Sequence, residues 1–387
     1  MTGPVPPSAQ GGRIFYLDSV RAFAMFFGIL AHGSTIAHPF IDQMPLLFVI
    51  QFANDLFRNA AFFLVSGFFT ALVWKRSTLA SFAENRLNVL VVPLVASMIL
   101  IAPLTNWLVH TWHNGPMSFA AYLSGGWRNP TVGNDTWALH IWFLYALVIY
   151  ACLTPPLYAL VASAPFTRAI DWYLDRTRGF THWTNVLIVA VLITLCRAAY
   201  DQLFRHLVDD TPAAWITRAS LYFLAFFLLG VVAFTHRRFL DTLVKLSLPG
   251  IALFLLAHFA VMAWGSDLPR AIERSLYWLT RAGLMLFIIT ALMWAFHRWA
   301  NKPTRFLSYA VDSAYSFYLF HFTFIYLCAF LARQLTDNLI WQFWIVVATA
   351  LPATLAWHSL VISRFALTRR LFMGKPPKKA PLSATAS

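Results

Sequence analysis

Hydropathy averaged over windows of about 19 residues divides the chain into ten apolar stretches. They lie near 14–35, 54–74, 88–109, 137–160, 184–203, 217–235, 247–265, 277–297, 306–331 and 341–363. Most connections are short; those at 110–136 and 161–183 are longer. The pattern predicts an all-α polytopic membrane protein of about ten transmembrane helices spanning 14–363. A tail at 1–13 precedes it and a basic, proline-containing tail at 364–387 follows, the latter suited to contact with anionic membrane lipids. No internal repeat interrupts the pattern.

Polar positions inside the apolar stretches carry the chemistry, because ionisable groups at membrane depth are expensive. The first stretch holds Asp18, Arg21 and His32. Arg21 and His32 are eleven residues apart, close to three full turns at about 100° per residue. Both side chains therefore leave one helix face, about 16 Å apart along the axis. Asp18 lies three residues before Arg21, in reach of an ion pair. A polar stripe that merely packs against neighbouring helices is the alternative.

In the second stretch, AFFLVSGFF (61–69) sets Ser66 and Gly67 in an aromatic wall. Such a small pair serves close helix packing or backbone contact with a ligand. Lys75, Arg76 and Arg86 follow; they are either topology determinants or a grip for phosphates. Trp107, Trp112, Trp127 and Trp137 read as an interfacial belt or as a platform for sugar rings. The fourth stretch opens HIWFLYAL, placing His140 and Trp142 about one turn inside; His140 either snorkels to the interface or reaches a cavity. In the fifth, Asp201 stands four residues from Arg197 and can pair with it. His236 and Asp241 form an isolated H-x-x-x-x-D with no supporting block, a chance match. His258 and His358 read as hydrogen-bonded structural residues. The ninth stretch holds His321 with Ser316 and Tyr318 nearby, and a cavity shared with His32 follows from two mid-membrane histidines.

Composition sharpens this reading. The chain is 59% hydrophobic and 11% charged, about half the charge of a soluble domain. The net charge of +14 sits in short loops between spans, which argues against nucleic-acid binding. Cys152, Cys196 and Cys328 fall within spans and show neither a disulfide framework nor metal-ligand spacing. The first apolar segment is too long and too polar for a cleaved signal peptide. Basic residues concentrate in the segments on the side of the N-terminus. The far side holds fewer, namely Arg58, Arg128, Arg205, Arg218, Arg270, Arg274, Arg281 and Arg333. The positive-inside rule then places both termini in the cytoplasm.

Taken together, Arg21-x10-His32, AFFLVSGFF, HIWFLYAL and YSFYLFH resemble, in order and spacing, the motifs of the membrane acyltransferase 3 superfamily. Within it, FYLDSVRAFAM, HIWFL and the tail LFMGKP look most like the branch that adds succinyl groups to osmoregulated periplasmic glucans. The resemblance implies a multi-pass enzyme of the bacterial inner membrane, with no bound cofactor. Its donor would be acyl-CoA, succinyl or acetyl, entering from the cytoplasm, and its acceptor a hydroxyl of a glucan or other polysaccharide. Other glucan biosynthesis proteins would be its partners. The family's catalytic histidine falls on His32 and its arginine on Arg21. One departure is that Asn88, Val89 and Leu90 fill an interval where relatives often carry a second basic residue before the proline matching Pro93. That bears on how much Arg86 alone contributes to holding a CoA phosphate.

The chemistry expected is O-acyl transfer. A neutral imidazole, with an ordinary pKa of about 6.5, suits proton removal from a sugar hydroxyl. His32 is the expected general base, a neighbouring polar group orienting its other nitrogen. Arg21 steers the anionic donor or organises the cavity through Asp18. His321 and Ser66 are wall residues in reach of the developing oxyanion; His140 and Trp142 complete the acceptor side, and Lys75, Arg76 and Arg86 the donor side. An acyl-His32 intermediate is the competing scheme. The competing class is a transporter or flippase for a lipid-linked or oligosaccharide substrate, against which stands the lack of repeats and of Gly/Pro-broken helix pairs. A scaffold would leave Asp18, Arg21, His32 and His321 without a role.

Overall fold

The computed structural model describes residues 14–126, 137–200, 202 and 214–374. The described residues form helices and their connections, without strands. Among the described residues, ten helices are long and apolar enough to cross a membrane: α1 (Phe15–Ala37), α2 (Pro45–Lys75), α3 (Leu79–Leu100), α4 (Leu139–Val161), α5 (Thr181–Ala199), α6 (Ile216–Thr235), α7 (Leu248–Asp267), α8 (Arg270–Trp299), α9 (Arg305–Arg333) and α10 (Leu339–Ile362). The chain is a multi-pass membrane protein. The tails 1–13 and 375–387, Trp127 and Asp201 lie outside the described residues.

Local chemistry sets many of the boundaries. Pro45 opens α2 at a position where its missing N–H is not needed. The side chains of Thr78, Ser247, Thr304 and Asn338 accept backbone N–H groups at the starts of α3, α7, α9 and α10. Two helices start well before the hydropathy stretch they contain. α2 begins at Pro45 and α8 at Arg270: in α2 the polar residues Asn54, Asp55, Arg58 and Asn59 interrupt the apolar run, and in α8 the charges of Arg270, Glu273 and Arg274 dilute the window average. The third stretch is divided instead. α3 ends at Leu100, and a separate helix, Ala102–Asn114, starts with Pro103 in its first turn, where the ring cannot continue the preceding hydrogen-bond ladder.

Residues Leu87–Val91 within α3 form a π-helical turn. Such a turn widens the helix and loosens its carbonyl pairing. The Tyr315 hydroxyl on α9 donates to the Val89 carbonyl there at 2.7 Å. Gly374 docks on the same turn: at φ +60 it lies against the backbone of Asn88 and Val89 so closely that a side chain has no room. The segment LFMG (371–374) is thereby a packing element of the bundle.

α1, α2 and α9 form the interior of the bundle. α2 and α6 meet backbone to backbone. A Cβ on Gly67 would collide with the Phe227 carbonyl, and one on Gly230 with that of Leu64. The small residue in AFFLVSGFF therefore serves close helix approach. α7 and α8 use the same device with aromatic rings, Gly250 facing Phe287 and Gly283 facing Phe254.

The start of α1 is tied to the end of α8. Tyr16 N–H donates to Asn301 Oδ1 at 3.2 Å, Ser19 Oγ to the Ala300 carbonyl at 3.1 Å, and the Tyr16 and His297 rings meet edge to face. The connection at 161–183, featureless in sequence, contains a helix, Ala164–Arg176. Arg238 clamps it through Asp171 and Asp175 at 3.2 and 2.8 Å. Hydrogen bonds from Arg238 and then Arg178 hold the exposed Asp175 carboxyl below its ordinary pKa. Arg197 lies over the Trp278 ring at 4.9 Å and the Tyr200 ring at 5.7 Å. His258 meets Thr280 Oγ1 at 3.1 Å and His236 the Val161 carbonyl at 3.0 Å.

Gly230→Ala should destabilise the protein by about 1–3 kcal/mol, the usual cost of overpacking, with Gly67→Ala behaving alike. Thermal unfolding of the purified variants in detergent measures this. An unchanged midpoint in both would mean that α2 and α6 are not in backbone contact.

Candidate active site

α1 carries polar groups at its two ends. Near its start, Arg21 Nη2 pairs with Asp18 Oδ1 at 3.2 Å, as the three-residue spacing predicts, and the guanidinium lies over the Phe69 ring at 5.3 Å. Asp18 is buried and Arg21 only partly so. Eleven residues on, about 16 Å along a helix, His32 enters a cluster with His321 from α9 and His140 from the start of α4. Ring centroids are 5.2 Å apart for His32–His321, 6.2 Å for His32–His140 and 5.2 Å for His140–His321. Phe322 closes one side, 4.8 Å from the His32 ring.

The hydrogen bonds distinguish the three imidazoles. His321 Nδ1 faces two backbone carbonyls, of Tyr318 at 2.8 Å and Phe317 at 3.1 Å. A carbonyl only accepts, so in the neutral ring Nδ1 carries the proton and Nε2 presents a lone pair. His140 has the mirror assignment: Nε2 donates to the Leu319 carbonyl at 3.2 Å, leaving the lone pair on Nδ1. Both bare nitrogens, His321 Nε2 and His140 Nδ1, are buried without a hydrogen-bond partner. Tyr318 fixes the His140 backbone, its hydroxyl donating to that carbonyl at 2.7 Å. His32 itself makes no ring hydrogen bond among the described residues, so the orienting partner expected for it is absent there. Packing against two imidazoles and a phenyl ring holds it instead. No group of three His, Cys, Asp or Glu side chains among the described residues is arranged to hold a metal.

A cavity of about 40 Å³ opens beside the cluster, lined by Ala24, Met25, His32, Arg58, Asn59, Phe62, His140, Trp142, Phe143 and Tyr318. A water needs at least about 10–15 Å³ on this measure, so the space takes a small group and excludes a sugar ring. Arg58 reaches it from α2. One spot, where a Cβ on Gly28 would stand, lies 2.8 Å from Arg58 Nη1, 3.4 Å from His321 Nε2 and 4.0 Å from His32 Cδ2. Gly28 is one turn before His32, and its lack of a side chain admits the guanidinium.

The structure thus gathers His32, His140, Trp142 and His321 and leaves the other expected residues elsewhere. Ser66 does not line the cavity. Lys75 and Arg76 are exposed at the end of α2, Lys75 Nζ 5.9 Å from the Phe234 ring. Arg86 bonds Asn85 Oδ1 at 2.7 Å and lies over Phe82 at 5.2 Å. The belt tryptophans turn their N–H groups to backbone, Trp107 to Met117 O at 2.7 Å and Trp112 to Ile36 O at 2.9 Å. Sequence reasoning missed Arg58, Asn59 and Gly28, and named Tyr318 only as a neighbour of His321. Arg58 is counted above as a far-side charge, yet it stands well inside α2. The available signal is a polar stripe of Asn54, Asp55, Arg58 and Asn59 at helical spacing, within an apolar segment.

A ten-helix membrane bundle enclosing a histidine cluster agrees with the sequence comparison. The acyltransferase domain of the acyltransferase 3 family matches residues 14–361, and the chain belongs to that family. It is a membrane acyltransferase. Among curated proteins, the chain is similar to glucans biosynthesis protein C of Salmonella schwarzengrund (strain CVM19633), 24% identical over 96% of this chain and 97% of that protein. It is similar also to glucans biosynthesis protein C of Salmonella typhimurium (strain LT2), 23% identical over 98% of this chain and 99% of the other. No solved structure matches.

Gly28→Ala puts a methyl group 2.8 Å from Arg58 Nη1, close enough to force the guanidinium aside. The expected result is a folded protein with acyl transfer lowered about 100-fold, the scale of a 1 Å misplacement at a catalytic centre. Transfer assays alongside a detergent melting curve check it; wild-type activity would show that the guanidinium position is immaterial.

Proposed function

We propose that the protein moves an acyl group, succinyl or acetyl, from acyl-CoA to a hydroxyl of a periplasmic glucan or other polysaccharide. It works in the bacterial inner membrane with both termini cytoplasmic. The observation that carries this reading is His32, which lines the small cavity with no hydrogen bond to its ring among the described residues and packs between two imidazoles whose bare nitrogens are buried without a partner. Lone pairs at His321 Nε2 and His140 Nδ1 are acceptors, and the groups they suit are O–H donors. A carbohydrate offers many. The relatives' name, glucans biosynthesis protein C, supports a glucan as acceptor.

In the reaction, a hydroxyl presents its proton to a ring nitrogen of His32. The imidazole removes it as the oxygen attacks the thioester carbonyl. An O–C bond forms, the C–S bond breaks, and the thiolate leaves and recovers the proton from His32. The cavity admits the acyl group and one hydroxyl, with the remainder of both substrates outside. Arg21, held by Asp18, lies about half of the α1 length away toward the end that carries Lys75, Arg76 and Arg86. This basic end supports donor entry there, since CoA phosphates are well matched to guanidinium groups.

His32→Ala should lower acyl transfer by about 10²–10⁴, the contribution of a general base, with membrane insertion unchanged. Mass spectrometry of periplasmic glucans from cells carrying each form reads the outcome, and undiminished acylation would remove His32 from the mechanism. Orientation is tested separately. Reporter fusions after His236 and after Gly374 should both report cytoplasm, and a periplasmic signal at Gly374 would overturn the arrangement.

A further inference from the structure

A second cavity, of about 460 Å³, lies at the basic end of the bundle and is far larger than the one beside His32. Its volume is within the range of about 300–1,000 Å³ usual for ligand pockets. The start of α1, the end of α8, the start of α9 and the later turns of α10 wall it. From α1 come Ser19, Ala22, Phe23 and Phe26. At about 100° per residue these four share one face, about 130° around the helix from the mean direction of Arg21, Met25 and His32. α1 therefore stands between two cavities. One faces the histidine cluster, and the other is lined almost wholly by carbon.

The polar groups of this lining define what it takes. Most are spent within the protein. Ser19 Oγ donates to the Phe15 and Ala300 carbonyls, and Thr304 Oγ1 accepts the Leu307 N–H. The Tyr309 hydroxyl meets Ser359 Oγ at 2.9 Å and the Leu355 carbonyl at 3.3 Å. Two groups remain, the Lys302 ammonium and the Trp299 indole N–H, both exposed and neither hydrogen-bonded nor ion-paired to a described residue. Both are donors, one of them charged, so the ligand end they suit is an anionic oxygen. Arg298 and Arg305, also exposed, flank them in the chain. The rest of the ligand must be hydrocarbon. The pantetheine arm of CoA carries amides that this wall would leave unpaired, which is costly. A phospholipid meets both demands, with an acyl chain inside and its phosphate at Lys302. Trp299 then stands at headgroup level, where indoles concentrate. Clustered basic side chains favour lipids of net negative charge. We propose that this cavity binds a single anionic phospholipid, which braces α1 from the side away from His32. The proposal stands apart from the acyl-transfer reading, because its readout is lipid retention and not activity.

The experiment strips lipid from the purified protein in detergent and titrates it with dioleoyl phosphatidylglycerol or dioleoyl phosphatidylcholine, counting bound lipids by native mass spectrometry. The two lipids share their chains and differ in net charge. Wild type should bind one phosphatidylglycerol at least about fivefold more tightly than phosphatidylcholine, the share of one basic side chain at an anionic surface. Lys302→Glu, a change at an exposed position, should abolish that preference and leave phosphatidylcholine binding as it was. Ala310→Phe puts a ring into the cavity and should remove the tightly held lipid of either kind. Glycerol 3-phosphate, a headgroup without chains, should leave the bound lipid in place. Four results overturn the site. Equal binding of the two lipids to wild type would show annular contact only. An unchanged preference in Lys302→Glu would put the phosphate elsewhere. Displacement by glycerol 3-phosphate would make the cavity irrelevant to the affinity, and displacement by CoA would make it part of the donor path. Lys302→Glu and the two competitors keep the test decisive where Ala310→Phe fails to fold.

Discussion

Arg58 carries a full charge on α2, in the body of an apolar bundle, and such a group is tolerated only where protein rather than lipid surrounds it. Much of the architecture follows from that enclosure. α1 covers the guanidinium with the Gly28 face, α9 brings His321 to the same spot, and the start of α4 brings His140, Trp142 and Phe143. On another face of α2, Gly67 and Gly230 let α6 approach to backbone contact. Helix packing in lipid has little hydrophobic drive and depends on such close approach. The glycines and the polar cluster are two parts of one solution: tight seams keep lipid away from groups it could not solvate.

The cluster is also economical in its hydrogen bonding. His321 and His140 each give their N–H to a carbonyl near 317–319 on α9, and Tyr318 returns a bond to the His140 carbonyl. A closed set of backbone contacts therefore fixes two tautomers and leaves one buried, unpartnered nitrogen on each ring beside His32. His32, with no such tie, is the ring free to change protonation without breaking a structural bond. Rigid acceptors around one unencumbered base are what an acyl acceptor's hydroxyl requires. At the other end of α1, the Arg21–Asp18 pair belongs to a different environment, next to Phe69 and near the Lys75–Phe234 contact. One helix thus joins a basic end to a histidine end.

The sequence determined the ten-helix class, the pairing of Asp18 with Arg21, and the family, because each rests on local spacing. Apolar runs of about 20 residues declare themselves whatever surrounds them, and residues three apart on a helix meet regardless of neighbours. Helix starts were less legible: polar residues at 54–59 within α2 and charges in the first turns of α8 depress a windowed average, and Pro103 breaks a run that reads as continuous.

The tertiary structure alone decided the composition of the cavity. Periodicity places a residue on a face of its own helix but does not say which other helix that face meets. That is why Arg58 reads as one more charge near a span end, when it stands beside His32. It is also why Ser66, in the most recognisable stretch of α2, is absent from the cavity lining, while its neighbour Gly67 seals the α2–α6 seam. The gathering of His32, His140 and His321, from positions more than a hundred residues apart along the chain, is a product of how α1, α4 and α9 pack. Contacts at that separation are set by packing, which one-dimensional spacing does not encode.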